Sequence, residues 1–184
     1  MSRLLALAAS YREPSLNKQL LALAVEEATR GGASVTLLDY AALDAPYRGE
    51  TVADGIPPAI AELAAMLPHH DGILLATPEY NWSIPGALKN ILDWLSITAV
   101  APLTGKTALL MCASPSTRGG ISGLQQLRTP MELLGCWVYP QLIGIGRAHD
   151  HFGEGQSLRE ADDQYLRNCV HDFVRATKAL SHAA

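Results

Sequence analysis

The segment LALAASYREPSLNKQ, residues 5–19, runs from consecutive apolar side chains through a loop carrying Ser10, Arg12, Ser15 and Asn17 into a stretch of helical period. A strand that is apolar at successive rather than alternate positions is covered on both faces, as in a parallel sheet. The same kind of short apolar run recurs at Ser34–Leu38, Gly72–Ala76, Thr107–Ala113 and 137–144. Helical periods fill the intervals. In 16–30, Leu21, Val25 and Ala28 repeat at three and four, and Gly31-Gly32 close the segment. Further helices are predicted over 57–67, over 84–95 with Ile84, Leu88, Ile91 and Leu95 on one stripe, and over 121–134. A long C-terminal helix would place Leu158, Ala161, Tyr165, Cys169, Phe173, Ala176 and Leu180 on a single face. Five strands alternating with five helices imply a doubly wound α/β sheet, in which ligands bind beyond the carboxyl ends of the strands where the winding reverses. The loops after the first, third and fourth strands are therefore the places to look for chemistry.

Composition narrows the chemistry. A chain of 184 residues fits one domain, 1–184, and size scaling lets it bury roughly 70% of its unfolded surface. With 48% hydrophobic and 17% charged residues, a net charge of −4 and no basic stripe, the chain is not built for nucleic acid or an anionic membrane. A small-molecule partner is expected. Cys112, Cys136 and Cys169 are far apart in apolar or helical contexts and read as reduced packing residues. The apolar run at 4–9 is short for a signal segment, and no run of 18 apolar residues occurs, so a cytoplasmic protein is expected.

In the first loop, hydroxyls, an amide and a guanidinium lie before and at a helix start, where free N–H groups and the helix dipole favour an anion. A phosphomonoester fits that inventory; the alternative is that Ser15 only caps the helix and Arg12 is a solvated charge. The loop has no G-x-G-x-x-G, which disfavours a dinucleotide pyrophosphate at this turn. Gly105-Lys106-Thr107 resembles the end of a P-loop, but Val100 stands where the first glycine should be and a strand follows. The second loop opens TPEYNWSIPG, residues 77–86; its bracketing prolines fix a backbone whose N–H groups can face a planar ligand, while Tyr80 and Trp82 offer flat apolar surface. The alternative there is a hairpin-like turn whose aromatics cover core. The third loop, ASPSTRGG, residues 113–120, has Ser114 and Ser116 hydroxyls and a Gly119-Gly120 pair that permits close backbone approach to a ligand.

These motifs together resemble the NADPH-dependent FMN reductase family of flavodoxin-like flavoproteins. The likeness runs from Leu4 to about Leu180, through Ser-x-Arg-x-x-Ser-x-Asn, Pro-Glu-Tyr-Asn with its following Pro-Gly-x-x-Lys-Asn-x-x-Asp-Trp, and the Gly-Gly loop. It implies a five-stranded parallel sheet of order 2-1-3-4-5. It further implies that Ser10, Arg12, Ser15 and Asn17 bind the FMN phosphate and that Pro78, Glu79, Tyr80 and Asn81 hold the isoalloxazine and ribityl region, chiefly through backbone. Ser114, Ser116, Gly119 and Gly120 would line the other edge. The family usually has glycine before the first serine, where this chain has Ala9, whose methyl could push the phosphate outward.

The implied function is an NAD(P)H oxidoreductase working by a ping-pong cycle. NADPH or NADH gives a hydride to N5 of FMN, and a small acceptor such as a flavin, quinone, azo compound or metal oxyanion then takes its place. The flavin carries the chemistry, so no catalytic nucleophile is needed. The alternative is a flavodoxin-type single-electron carrier without NAD(P)H turnover. Arg118 and Arg48 are candidates for the 2′-phosphate of NADPH, against exposed charges with no ligand. His149-Asp150-His151 lacks further ligands nearby in sequence and is read as a loop without metal. Trp82, Trp94 and Ile97 are expected to form an apolar patch suited to a homodimer or homotetramer interface.

Overall fold

The computed structural model describes residues 1–51, 55–152 and 158–181. Strand β1 (Arg3–Ala8) leads to helix α1 (Leu16–Arg30), then β2 (Ser34–Leu38), a 3-10 turn at Tyr40–Leu43 and the one-turn helix α2 (Arg48–Thr51). Helix α3 (Pro58–Met66), β3 (Gly72–Ala76), α4 (Gly86–Leu95), β4 (Thr107–Ala113) and α5 (Ile121–Leu133) follow. The chain then forms β5 (Trp137–Val138), β6 (Ile143–Ile145), the short α6 (Ala148–His151) and α7 (Glu160–Ser181).

All strand pairs are parallel, in the order β2-β1-β3-β4-β5, with β6 also on β4. This is the doubly wound order expected, with one difference. The single fifth strand predicted at 137–144 is two pieces: Thr107 pairs with Trp137 but Met111 with Ile143, so two extra residues are accommodated between them. Pro140, which has no N–H for a ladder, sits in the break. Arg128 on α5 compensates by donating from Nη1 to the Tyr139 carbonyl at 3.1 Å.

Because side chains alternate across each strand, the sheet has a core on each face. Leu5 and Leu7 join Ile60, Leu88, Ile91, Leu124 and Leu127 beneath α3, α4 and α5. Leu4 and Ala6 join Leu20, Ala24, Val170 and Phe173 beneath α1 and α7. Ser15 caps α1 through the Lys18 amide, and Gly31 and Gly32 end it, Gly32 at a φ of 85°.

Three expected faces are corrected. On α1 the buried stripe is Leu20, Leu21, Ala24 and Ala28, with Val25 only partly covered. On α7 it is Leu166, Cys169, Val170, Phe173, Val174 and Thr177, while Tyr165 and Leu180 are exposed. Leu166, Val170 and Val174 extend the apolar stripe around Cys169 and Phe173, so this face takes the sheet side, and Thr177 is accommodated there because its hydroxyl meets that of Thr107 on β4 at 2.6 Å. Trp94 does not join an exposed patch. It is fully buried, and its Nε1 donates to the Pro46 carbonyl at 2.8 Å, so the indole anchors the chain after β2 onto α4. His149-Asp150-His151 forms α6 rather than a loop, and His151 pairs through Nδ1 with Asp162 at the start of α7.

Candidate functional site

The winding reverses at β1 and β3, which lie side by side with Ala8 opposite Ala76, while β4 runs beyond their ends to Ala113. Connections leaving β1 and β3 in opposite senses open a crevice at this edge. The three loops singled out in the sequence all border it.

In the first loop, Ser10 Oγ accepts from the Arg12 amide and Ser15 Oγ from the Lys18 amide, each at 3.3 Å. A hydroxyl that accepts from an amide keeps its own proton to donate. Both side chains thus retain an O–H for an oxyanion, beside the first amides of α1, which have no intrahelical acceptor. The first turn of α1 contains no acidic residue. Glu13 is taken by Lys18, whereas Arg12 is exposed and has no ion pair among the described residues. Asn17 is placed differently from the rest. Its Nδ2 donates to the Ala113 carbonyl at 3.1 Å and its Oδ1 accepts from the Ala113 amide at 2.9 Å, so its side chain ties α1 to the end of β4. The second N–H of Nδ2 and the backbone N–H remain for an anion. Ala9 is 2% exposed and packs with Leu7, Tyr40 and Leu43, so its methyl belongs to the core.

In the second loop, Tyr80 and Ser83 exchange backbone hydrogen bonds of 2.9 and 3.0 Å around Asn81 and Trp82, whose φ angles are 50° and 67°. Two consecutive positive φ values define a type I′ turn, and a tryptophan rarely occupies one. Helix α5 holds it there: Gln126 Nε2 donates to the Trp82 carbonyl at 2.8 Å and accepts through Oε1 from the Ser83 hydroxyl at 2.6 Å. Tyr80 and Trp82 stay half exposed as a flat rim.

Glu79 joins the second loop to the third. Its carboxylate accepts from the Gly123 amide in the first turn of α5 at 2.7 Å. The residue that would normally cap this helix is Gly120, which has a φ of 72° and no room for a side chain: a Cβ there would lie 2.2 Å from Cys112 Sγ. A Cβ on Gly119 would lie 2.7 Å from the Gly144 backbone. The glycine pair therefore lets the loop sit on its own strands, and the carboxylate from across the crevice supplies the missing cap. Ser114 Oγ accepts from the Ser116 amide and donates to Ser116 Oγ, which keeps its own proton free. Cys112 beneath this loop is inert, its thiol pushed up to about 12 by burial and further by Glu79.

Gln126, Gly123 and the Tyr11–Tyr40 pair were not singled out in the sequence. Tyr11 lies over Tyr40 with ring centroids 4.6 Å apart, and burial followed by Tyr11 raises the Tyr40 phenol above its usual range. The only available signal was that Tyr40 also follows a strand end on this edge. Beside the pair, a cavity of about 390 Å3 is lined by Tyr11, Tyr47, Ala87 and Asn90. A cavity of about 500 Å3 between α1 and β2 is lined by Ala22, Val25, Leu37 and Leu38 and touches neither the second nor the third loop. Its mainly aliphatic wall does not match the donor set of the crevice.

A family model described as NADPH-dependent FMN reductase matches residues 2–150. The quinone reductase of Escherichia coli (strain K12) is 35% identical over 111 residues, 59% of this chain and 57% of that protein, so the chain spans little more than half the length of that relative. An NAD(P)H-dependent FMN reductase of Pseudomonas aeruginosa is 33% identical over 132 residues, 72% of this chain and 70% of that one. A flavoenzyme NAD(P)H:(acceptor) oxidoreductase from Paracoccus denitrificans superposes with a TM-score of 0.82 at 23% identity, covering 97% of this chain and 98% of that one, a likeness of fold.

Removing the inter-loop cap is expected to loosen both loops. In Glu79→Ala, hydrogen exchange should run about tenfold faster at the Gly123 amide and unfolding should cost about 1–3 kcal/mol less. Glu79→Gln, whose Oε1 can still accept, should recover most of both. Equal losses in the two variants, or none in Glu79→Ala, would contradict the assigned bond.

Proposed function

The chain belongs to the NADPH-dependent FMN reductase family, and from that premise we propose that it holds FMN in the crevice between the three loops and passes hydride equivalents from NAD(P)H to a small acceptor. The observation that carries this reading is the donor set of the first loop: two hydroxyl protons, the first amides of α1 and Arg12, with no carboxylate in the helix turn behind them. That set suits a terminal dianionic phosphate, for which charge-assisted hydrogen bonds contribute about 1.5–3 kcal/mol each.

The other loops fit the rest of the molecule. The Pro78–Asn81 backbone is fixed by the turn that Gln126 holds, and Ser114, Ser116, Gly119 and Gly120 bound the opposite wall. Bound FMN would supply the redox chemistry, accepting a hydride at N5 from NAD(P)H and returning electrons to a flavin, quinone, azo compound or metal oxyanion. The protein's part is to hold the ring rigidly with one face open. The exposed rims of Tyr80 and Trp82 border that face.

The same reading makes the protein a cytoplasmic homodimer or homotetramer. No helix among the described residues is long and apolar enough to cross a membrane. Tyr47 is exposed beside the first turn of α4, where a second copy would cover it.

Reconstituted with FMN and freed of excess cofactor, the protein should be yellow and should bleach when NADPH or NADH is added without oxygen. Absence of retained flavin, or bound flavin that neither nucleotide bleaches, would overturn the proposal. Sedimentation at micromolar concentration should give a dimer or tetramer, and a monomer would overturn the assembly.

A further inference from the structure

The ten arginines of this chain divide by surroundings. Arg3, Arg30, Arg128, Arg167 and Arg175 each meet a carboxylate, and Arg159 donates to the Asp150 carbonyl. The other four, Arg12, Arg48, Arg118 and Arg147, have no ion pair among the described residues. All four stand in connections that follow the carboxyl ends of β1, β2, β4 and β6. In a chain of net charge −4, the unpaired guanidinium groups are thus gathered on the edge that carries the crevice. The carboxylates of that edge are partly engaged: Glu13 with Lys18, Asp39 with the Ala41 amide and Glu79 with the Gly123 amide, while Asp44 lines the cavity beside Tyr47 and Asp150 is exposed in α6. Such an edge favours an anion.

Arg12 belongs with the phosphate donors of the first loop. Arg48 is set apart, because its Nε is buried without a partner and its backbone amide is fixed by Asn90 Oδ1 at 3.0 Å. Arg118 lies in the third loop, and the backbone of Arg147 is tied to the same loop, its amide donating to the Ser116 carbonyl at 2.8 Å. The Arg118 guanidinium lies 4.2 Å from the centroid of the Trp82 indole, on the turn that Gln126 holds. Stacking on a fixed indole restricts the guanidinium while leaving its N–H edge free for bidentate contact with a phosphate.

Resting on the function proposed above, we infer that Arg118, seated on Trp82 with the backbone of Arg147 tied to the same loop, binds the 2′-phosphate of NADPH and makes this chain select NADPH over NADH. The two nucleotides differ only in that dianionic group, so one preorganised cation away from the flavin-phosphate loop is enough to distinguish them. Trp82 has a positioning part: it orients the guanidinium and makes no contact with the phosphate itself.

The test compares wild type with Arg118→Ala, Arg147→Ala and Trp82→Ala, all loaded with FMN. In Arg118→Ala the KM for NADPH should rise about tenfold, with kcat and the KM for NADH changed less than about twofold. Trp82→Ala should give a smaller loss in the same direction. Independently of turnover, calorimetry should show adenosine 2′,5′-bisphosphate binding more tightly than 5′-AMP to wild type, a preference lost in Arg118→Ala and reduced in Arg147→Ala. Parallel rises in KM for NADPH and NADH, or no preference for the bisphosphate in wild type, would overturn the assignment. So would a loss confined to an anionic acceptor such as ferricyanide, which would give the cation to the acceptor instead. Failure of both nucleotides to reduce the flavin would sink the oxidoreductase reading, and the bisphosphate arm would still decide the site.

Discussion

The crevice depends on one side chain reaching between segments that are far apart in sequence. Asn17, in the first turn of α1, pairs its amide with both the N–H and the C=O of Ala113, as a neighbouring strand would. Ala113 ends β4, and the third loop begins with the next residue. The pair therefore fixes the first loop relative to the third. Both groups of Ala113 are buried with it, so losing the amide would leave two unsatisfied backbone groups at a cost of about 1–3 kcal/mol each.

Other contacts extend this brace around the crevice. Glu79 carries the second loop onto α5, and Gln126 on the same helix holds the turn at Asn81 and Trp82 in a conformation that side chains rarely adopt. The glycines of the third loop serve the same end by letting it lie against Gly144 and Cys112. Asn17 and Glu79 hold backbone in place, while the hydroxyls of Ser10 and Ser15, the first amides of α1 and Arg12 remain available to an anion. A planar cofactor with a phosphate tail asks for that division, since rigid donors lose little freedom on binding.

Much of this was legible because parallel strands covered on both faces leave continuous apolar runs, and because the loop residues lie next to strand ends. The runs at Gly72–Ala76 and Thr107–Ala113 are observed with the bounds read from them. Part of what escaped rests on polar pairing between distant residues. Thr177 is buried against the hydroxyl of Thr107, and the Trp94 indole donates to the carbonyl of Pro46. The break between β5 and β6 is made tolerable by Arg128. At the site, sequence placed Asn17 and Glu79 on the correct loops, but their partners, Ala113 and Gly123, are 96 and 44 residues away. Periodicity carries no information about such pairs.

The three braced loops, and no other surface, are proposed to form the flavin site. That placement is tested most directly by titrating isotopically labelled apo-protein with FMN and following the backbone amide resonances. The largest shifts should fall on residues 10–17, 77–83 and 113–120 and saturate together. Shifts centred instead on Ala22, Val25, Leu37 and Leu38, which line the cavity between α1 and β2, would contradict it.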